Sequence, residues 1–210
     1  MRLNNALNNV LVLAALMVAG TAQAAVCNWT GVNGNGWSDD ANWSCGGPNN
    51  GDDLVFPDAS GNKVHSHNRS ILTTVNSITI NGCGYDITGP SSLNISANNP
   101  ITVNCDSLGG TNKIDITNLV LTSAPPIRIQ QQTASMLAGT VTFDLGLTNT
   151  VQWSGKLDFI QVQPGMTQAT IRVKLAESSV SSANEVNVIA GRVIFPFANS
   201  YSGLTTVASG

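Results

Sequence analysis

Residues 77–107 read SITINGCGYDITGPSSLNISANNPITVNCDS, and this stretch decides the fold. It contains the apolar–polar–apolar triplets Ile78-Thr79-Ile80, Leu93-Asn94-Ile95 and Ile101-Thr102-Val103. On a strand, residues i and i+2 share a face, so each triplet turns two apolar side chains one way and a polar one the other. Asn81-Gly82, Gly89-Pro90 and Asn98-Asn99-Pro100 stand between them, residue types that build turns. The same unit recurs at Ile114-Asp115-Ile116, Leu119-Val120-Leu121, Ile127-Arg128-Ile129, Val141-Thr142-Phe143 and Val151-Gln152-Trp153. It returns again at Ile171-Arg172-Val173-Lys174-Leu175 and Val186-Asn187-Val188. After the N-terminal segment no convincing 3.6-residue period appears, and Gln131 to Leu137 is the best helical candidate. The reading is all-β.

Two architectures suit many short strands with polar turns: a β-sandwich and a β-solenoid. Sandwich strands usually run about 5–6 residues, longer than these triplets. A triangular coil divides a rung of roughly 20 or more residues among two or three short faces. On that view the 22-residue step from Cys83 to Cys105 is about one rung, which would let the pair bond between adjacent rungs. The pattern favours the solenoid and leaves the sandwich as the alternative.

The N-terminus points to export. Arg2 supplies a positive charge, an apolar run extends from Val10 to Gly20, and Ala22-Gln23-Ala24 fits a signal-peptidase site. Residues 1–24 are therefore expected to be a signal peptide cut before Ala25, leaving 186 of 210 residues. The run is too short to span a bilayer, which takes about 20 residues, and no later stretch is long and apolar enough. Only 10% of the chain is charged, with a net charge of -3, so it lacks the basic footprint of a nucleic-acid binder. Abundant Val, Ile and Thr, with Asn, Ser and Gly as the polar complement, fit a secreted or outer-surface protein rather than a disordered one. Cys27, Cys45, Cys83 and Cys105 make an even count in an oxidising compartment, and the local pairings Cys27–Cys45 and Cys83–Cys105 are favoured. Zinc is disfavoured, because there is no C-x-x-C and no metal-spaced histidine pair.

Two motifs carry a family resemblance. Cys27-Asn-Trp29-Thr-Gly31, Trp37-Ser38, Asn42-Trp43-Ser44, Gly47-Pro48 and Gly51-Asp52-Asp53-Leu54-Val55-Phe56 resemble the opening of bacterial exported surface proteins of the autotransporter-passenger type. Asn199 to Gly210, with Tyr201, Gly203, Thr206, Val207 and Gly210, is similar to the autotransporter-associated β-strand repeat. The resemblance implies a right-handed parallel β-helix. In such a fold Trp29, Trp37 and Trp43 would cap the bare first rung, within a cap segment 25–60 pinned by Cys27–Cys45. Residues 61–210 would form the rungs. Their last residues look like a rung being continued, which leads to the expectation of an incomplete C-terminal end that self-associates or frays.

No constellation marks a reaction. His65 and His67, at i and i+2, read as exposed loop histidines. Asp39-Asp40 and Asp52-Asp53 lack the alternating spacing of a calcium loop and read as turn residues. Asp115, Asp144 and Asp158 each sit between apolar residues and would point outward; their joint replacement by Asn is expected to leave the fold intact. Arg128, Arg172 and Lys174 read as solvated strand residues, and nucleophile-elbow, zinc-protease and phosphate-loop motifs are missing. The expectation is a structural or adhesive surface protein without catalytic activity, cofactor or metal. Its partners would be surface glycans or other cell-surface proteins. A carbohydrate-binding or polysaccharide-degrading module, with the tryptophans as a sugar platform, is the alternative.

Overall fold

A computed structural model of the chain describes residues 24–97, 100–105, 110–122, 127–132, 139–153, 155–162, 167–177, 184–190, 192–201 and 203–208. Apart from Ala24, the expected signal segment lies outside them.

The strands follow one another in a repeating order of three. β1 (Val26–Asn28) comes first, then β2 (Asp53–Pro57), β3 (Val64–Ser66) and β4 (Thr74–Val75). The next turn is β5 (Ser77–Asn81), β6 (Asp86–Gly89) and β7 (Leu93–Ile95), and the third is β8 (Ile101–Asn104), β9 (Thr111–Ile116) and β10 (Leu119–Leu121). The fourth is β11 (Ile127–Gln132), β12 (Gly139–Leu145) and β13 (Val151–Trp153). β14 (Lys156–Val162), β15 (Thr167–Val173) and β16 (Leu175–Glu177) form the fifth, followed by β17 (Glu185–Ala190), β18 (Arg192–Ile194) and β19 (Thr205–Val207). The short triplets thus share the stack with strands of up to 7 residues. Gln131 and Gln132 finish β11, so the helical reading of that segment fails where it is described; the rest of it lies outside the described residues.

Each strand pairs in parallel with its counterpart one turn later. The sheets run β1-β2-β5-β8-β11-β14-β17-β19, β3-β6-β9-β12-β15-β18 and β4-β7-β10-β13-β16. The fold is an all-β parallel solenoid of about 5 turns, and the sandwich alternative falls away. Parallel register explains the triplets: equivalent apolar residues of successive turns lie on top of one another. Leu54, Ile78 and Ile101 form one buried row, and Phe56, Ile80 and Val103 the next. On the third sheet Leu93, Leu119, Val151 and Leu175 stack in the same way. Each fully buried aliphatic side chain contributes about 1.5–3 kcal/mol, so the rows supply the main cohesion between turns.

The two expected disulfides are present, Cys27–Cys45 and Cys83–Cys105. Cys83 and Cys105 follow β5 and β8, which are neighbours, so this bridge joins adjacent turns as the spacing suggests. Gly110 lies beside it, and a Cβ there would approach Cys105 Sγ to 2.8 Å. At the C-terminal end Gly203 meets the backbone of Asn184 so closely that a Cβ would overlap the Asn184 carbonyl oxygen. Tyr201 leans on Trp153 edge-to-face at 5.5 Å between ring centroids. Val207 continues the buried row below it, opposite Val188, yet is 69% exposed. Thr206 is exposed on β19, and Gly210 lies outside the described residues.

Candidate functional site

At the N-terminal end, residues 27–43 lie over the first turn. Trp29 and Trp43 face each other in an antiparallel bridge, against the parallel order of the sheets. Trp29, Trp37 and Trp43 are buried, at 0%, 0% and 3% exposure, and each packs against Phe56 of β2. Each indole N–H is satisfied: Trp29 donates to the Asn62 carbonyl (2.7 Å), Trp43 to the Trp37 carbonyl (3.2 Å) and Trp37 to His65 Nδ1 (2.8 Å). An indole combines a large apolar surface with one donor, which suits a lid over a core whose first turn has no preceding turn to cover it.

His65 and His67 are buried inside this lid, which overturns their reading as exposed loop residues. The reason is register. His65 pairs with Ile87, which pairs with Ile114, then Leu145, then Val173, so His65 occupies the inward row of the β3 sheet. Phe56 stacks on His65 at 4.8 Å and Trp29 lies 4.6 Å away; His67 lies 4.7 Å from Trp37. Because His65 Nδ1 accepts from Trp37, its ring is neutral with the proton on Nε2, and Nε2 has no partner among the described residues. Burial drives its pKa from the ordinary 6.5 down to about 3. The pKa of His67 is also lowered by burial, against hydrogen bonds to the Ser92 and Leu72 backbone that raise it. Nothing in the H-x-H pattern separated this from an exposed strand, because the residue count per turn is not visible in the sequence.

The carboxylates also hold structure. Asp115, Asp144 and Asp158 leave the outer side of their strands as expected, but all three are buried rather than solvated. Asp115 accepts the backbone N–H of Asn149 at 2.8 Å and of Thr148 at 3.1 Å, pinning the corner before β13. Asp144 takes a two-pronged contact from Arg172, including Nε to Oδ1 at 2.6 Å, so Arg172 is not a free solvated cation. Asp158 accepts Asn187 Nδ2 at 2.9 Å. Asp86, Lys113, Asp144 and Arg172 occupy one outward row of alternating charge, with Lys113 Nζ 3.4 Å from Asp86.

Of the acidic pairs, Asp39 caps a short 3-10 helix that Asp40 opens and Asp52 lies in the corner before β2, whereas Asp53 is the first residue of β2 and not a turn residue. Asp39 accepts the Ala41 N–H at 3.0 Å, Asp40 pairs with Arg69 at 2.6 Å, and Asp53 accepts from Asn76 and Ser77. Among the described residues no three of His, Cys, Asp and Glu come together to hold a metal.

What remains accessible is the outer side of the sheets. On the largest sheet Thr79 lies opposite Thr102 and Asn81 opposite Asn104, whose amide donates to Asn81 Oδ1 at 2.6 Å. Thr74 and Asn94 are paired likewise on the β4 sheet. Paired strands repeat about every 4.8 Å. Thr79, Thr102, Asn81 and Asn104 present uncharged hydroxyls and amides there, whereas Val55 and Ile160 stand in the same row as Thr79 and Thr102, and the outer row of the β9 sheet is charged. No protein family, curated protein or solved structure matches this chain.

Proposed function

We propose that this chain is an exported, non-catalytic scaffold of the bacterial cell surface or its surroundings, of the autotransporter-passenger kind. Its rows of Thr, Asn and Ser would meet surface glycans or other cell-surface proteins through many weak contacts. The observation that carries this reading is the employment of the acid–base side chains. Asp115, Asp144 and Asp158 are buried in contacts with other turns, and His65 is buried under indoles. A general acid or base has to come within hydrogen-bond reach of its substrate, and these groups are covered.

The two disulfides agree with an oxidising compartment outside the cytoplasm, and no helix among the described residues is long and apolar enough to cross a membrane. A glycan array combined with lyase and hydrolase assays tests the proposal. The expected result is weak binding that gains strength with multivalent display, and no turnover. Release of shortened sugar would instead identify a polysaccharide-degrading module.

A further inference from the structure

The backbone nitrogen of Ala25 lies 2.9 Å from Asp52 Oδ1. Asp52 is only 6% exposed, and its Oδ2 accepts the Asn49 N–H at 2.8 Å. Ala25 is held from its other side as well: its carbonyl accepts the Asp53 N–H at 2.9 Å, and Cys27, two residues on, is locked to Cys45. Among the described residues, ion pairs engage Asp40, Asp58, Asp86, Asp115 and Asp144, but not Asp52. A buried carboxylate without a cation is costly, and the group aimed at this one is a backbone nitrogen at a position where the sequence expects a cut.

Ala22-Gln23-Ala24 places that cut at the Ala24–Ala25 bond, and both residues are exposed. Hydrolysis adds hydroxyl to the Ala24 carbonyl carbon and hydrogen to the Ala25 nitrogen. The neutral amide thereby becomes a primary amine, which is protonated near neutral pH.

We propose that the α-ammonium of Ala25 is the missing counter-ion of Asp52, so that leader removal turns a hydrogen bond from a neutral amide into an ion pair fastening β1 to the first full turn. The contact already ends on a carboxylate; the cut adds a full positive charge on the donor side, beside a group only 6% exposed, where water screens the attraction less than at the surface. The clasp forms only on a chain that starts at Ala25, because a terminus one residue earlier returns an amide to the Asp52 oxygen and moves the charge outward. In the natural protein the ion pair rests on the export reading, since Ala25 carries an α-ammonium only after the cut; the pairing itself is tested on a chain made to begin at Ala25.

The test compares two chains released from a fusion partner, one beginning at Ala25 and one at Ala24. The charged groups beside it are Asp52, just before β2, and Asp53, the first residue of β2; both are acidic, so both act to raise the pKa of the amine. A raised pKa gives stability that is complete below the ordinary 7.7–8.0 of a chain terminus and is lost as pH rises through the raised value. At pH 6.5 the Ala25 chain is expected to melt about 2–4 °C higher, with the difference gone at pH 10.5. Its amine, followed by NMR with nitrogen-labelled alanine, is expected to titrate above the ordinary range. Equal melting at pH 6.5 with an ordinary amine would overturn the ion pair. N-terminal sequencing of the exported protein checks the cut separately: a start other than Ala25 would overturn the processing half alone.

Discussion

Trp37 and His65 form a buried polar pair, an indole N–H on an imidazole nitrogen, inside a cluster of aromatic rings. Replacing Trp37 by Phe removes the donor and leaves His65 Nδ1 unpaired, at a cost of about 2–4 kcal/mol from the orphaned acceptor and lost packing. Urea unfolding reads this directly. Adding His65→Phe should recover part of the loss, since removing both polar partners is far less harmful than removing one. An unchanged midpoint in Trp37→Phe would mean that the pair is not formed. The histidines also set a pH dependence. Both have folded-state pKa values below the ordinary 6.5, His65 at about 3. The unfolded chain then binds more protons, so stability is complete above pH 6.5 and falls as pH drops toward the folded values. The slope should approach about 1.4 kcal/mol per pH unit per histidine. Unfolding measured between pH 7.5 and 5, above the ordinary carboxylate range, isolates this effect; a flat profile there would contradict the burial. At this scale the sequence was half legible. The size of Trp29, Trp37 and Trp43 in a Gly-rich stretch already set them apart as large apolar surfaces, while His65 read as an exposed loop residue.

The strand is the scale at which the sequence speaks most clearly. Apolar residues at i and i+2 in Ile78-Thr79-Ile80 or Leu119-Val120-Leu121 are the buried residues of the structure. Less legible was what the outward residues do, because that depends on which strands lie side by side. Asp86, Lys113, Asp144 and Arg172 lie 27, 31 and 28 residues apart, and this uneven step hides their common row until the register is known. The cysteines at Cys83 and Cys105 gave one such step because covalent pairing limits the choices. The Asp144–Arg172 contact offers a direct check on the row. Arg172→Met leaves Asp144 covered and without its cation, and should cost more than the exposed position of Arg172 suggests. A double-mutant cycle with Asp144→Leu is expected to show a coupling of about 1–3 kcal/mol. Additive effects would mean that the two side chains do not meet.

Over the whole molecule, each turn touches the turns before and after it, so stability is a sum of turns and of contacts between neighbours. Three kinds of contact bind the turns: apolar rows inside, parallel backbone pairing, and polar clasps such as Asp115 to Thr148 and Asn149. The clasps bear most directly on function, because the same carboxylates would be the first candidates for sugar chemistry. Joint replacement of Asp115, Asp144 and Asp158 by Asn, harmless on the sequence reading, now carries a different expectation: each carboxylate is buried and bonded to another turn. The direct test is to make this triple variant and to measure both its unfolding midpoint and its turnover of polysaccharides beside the parent. The account predicts a folded parent without turnover and a variant destabilised by roughly 2–6 kcal/mol. A parent that degrades a polysaccharide, with a variant equally stable but inactive, would contradict it.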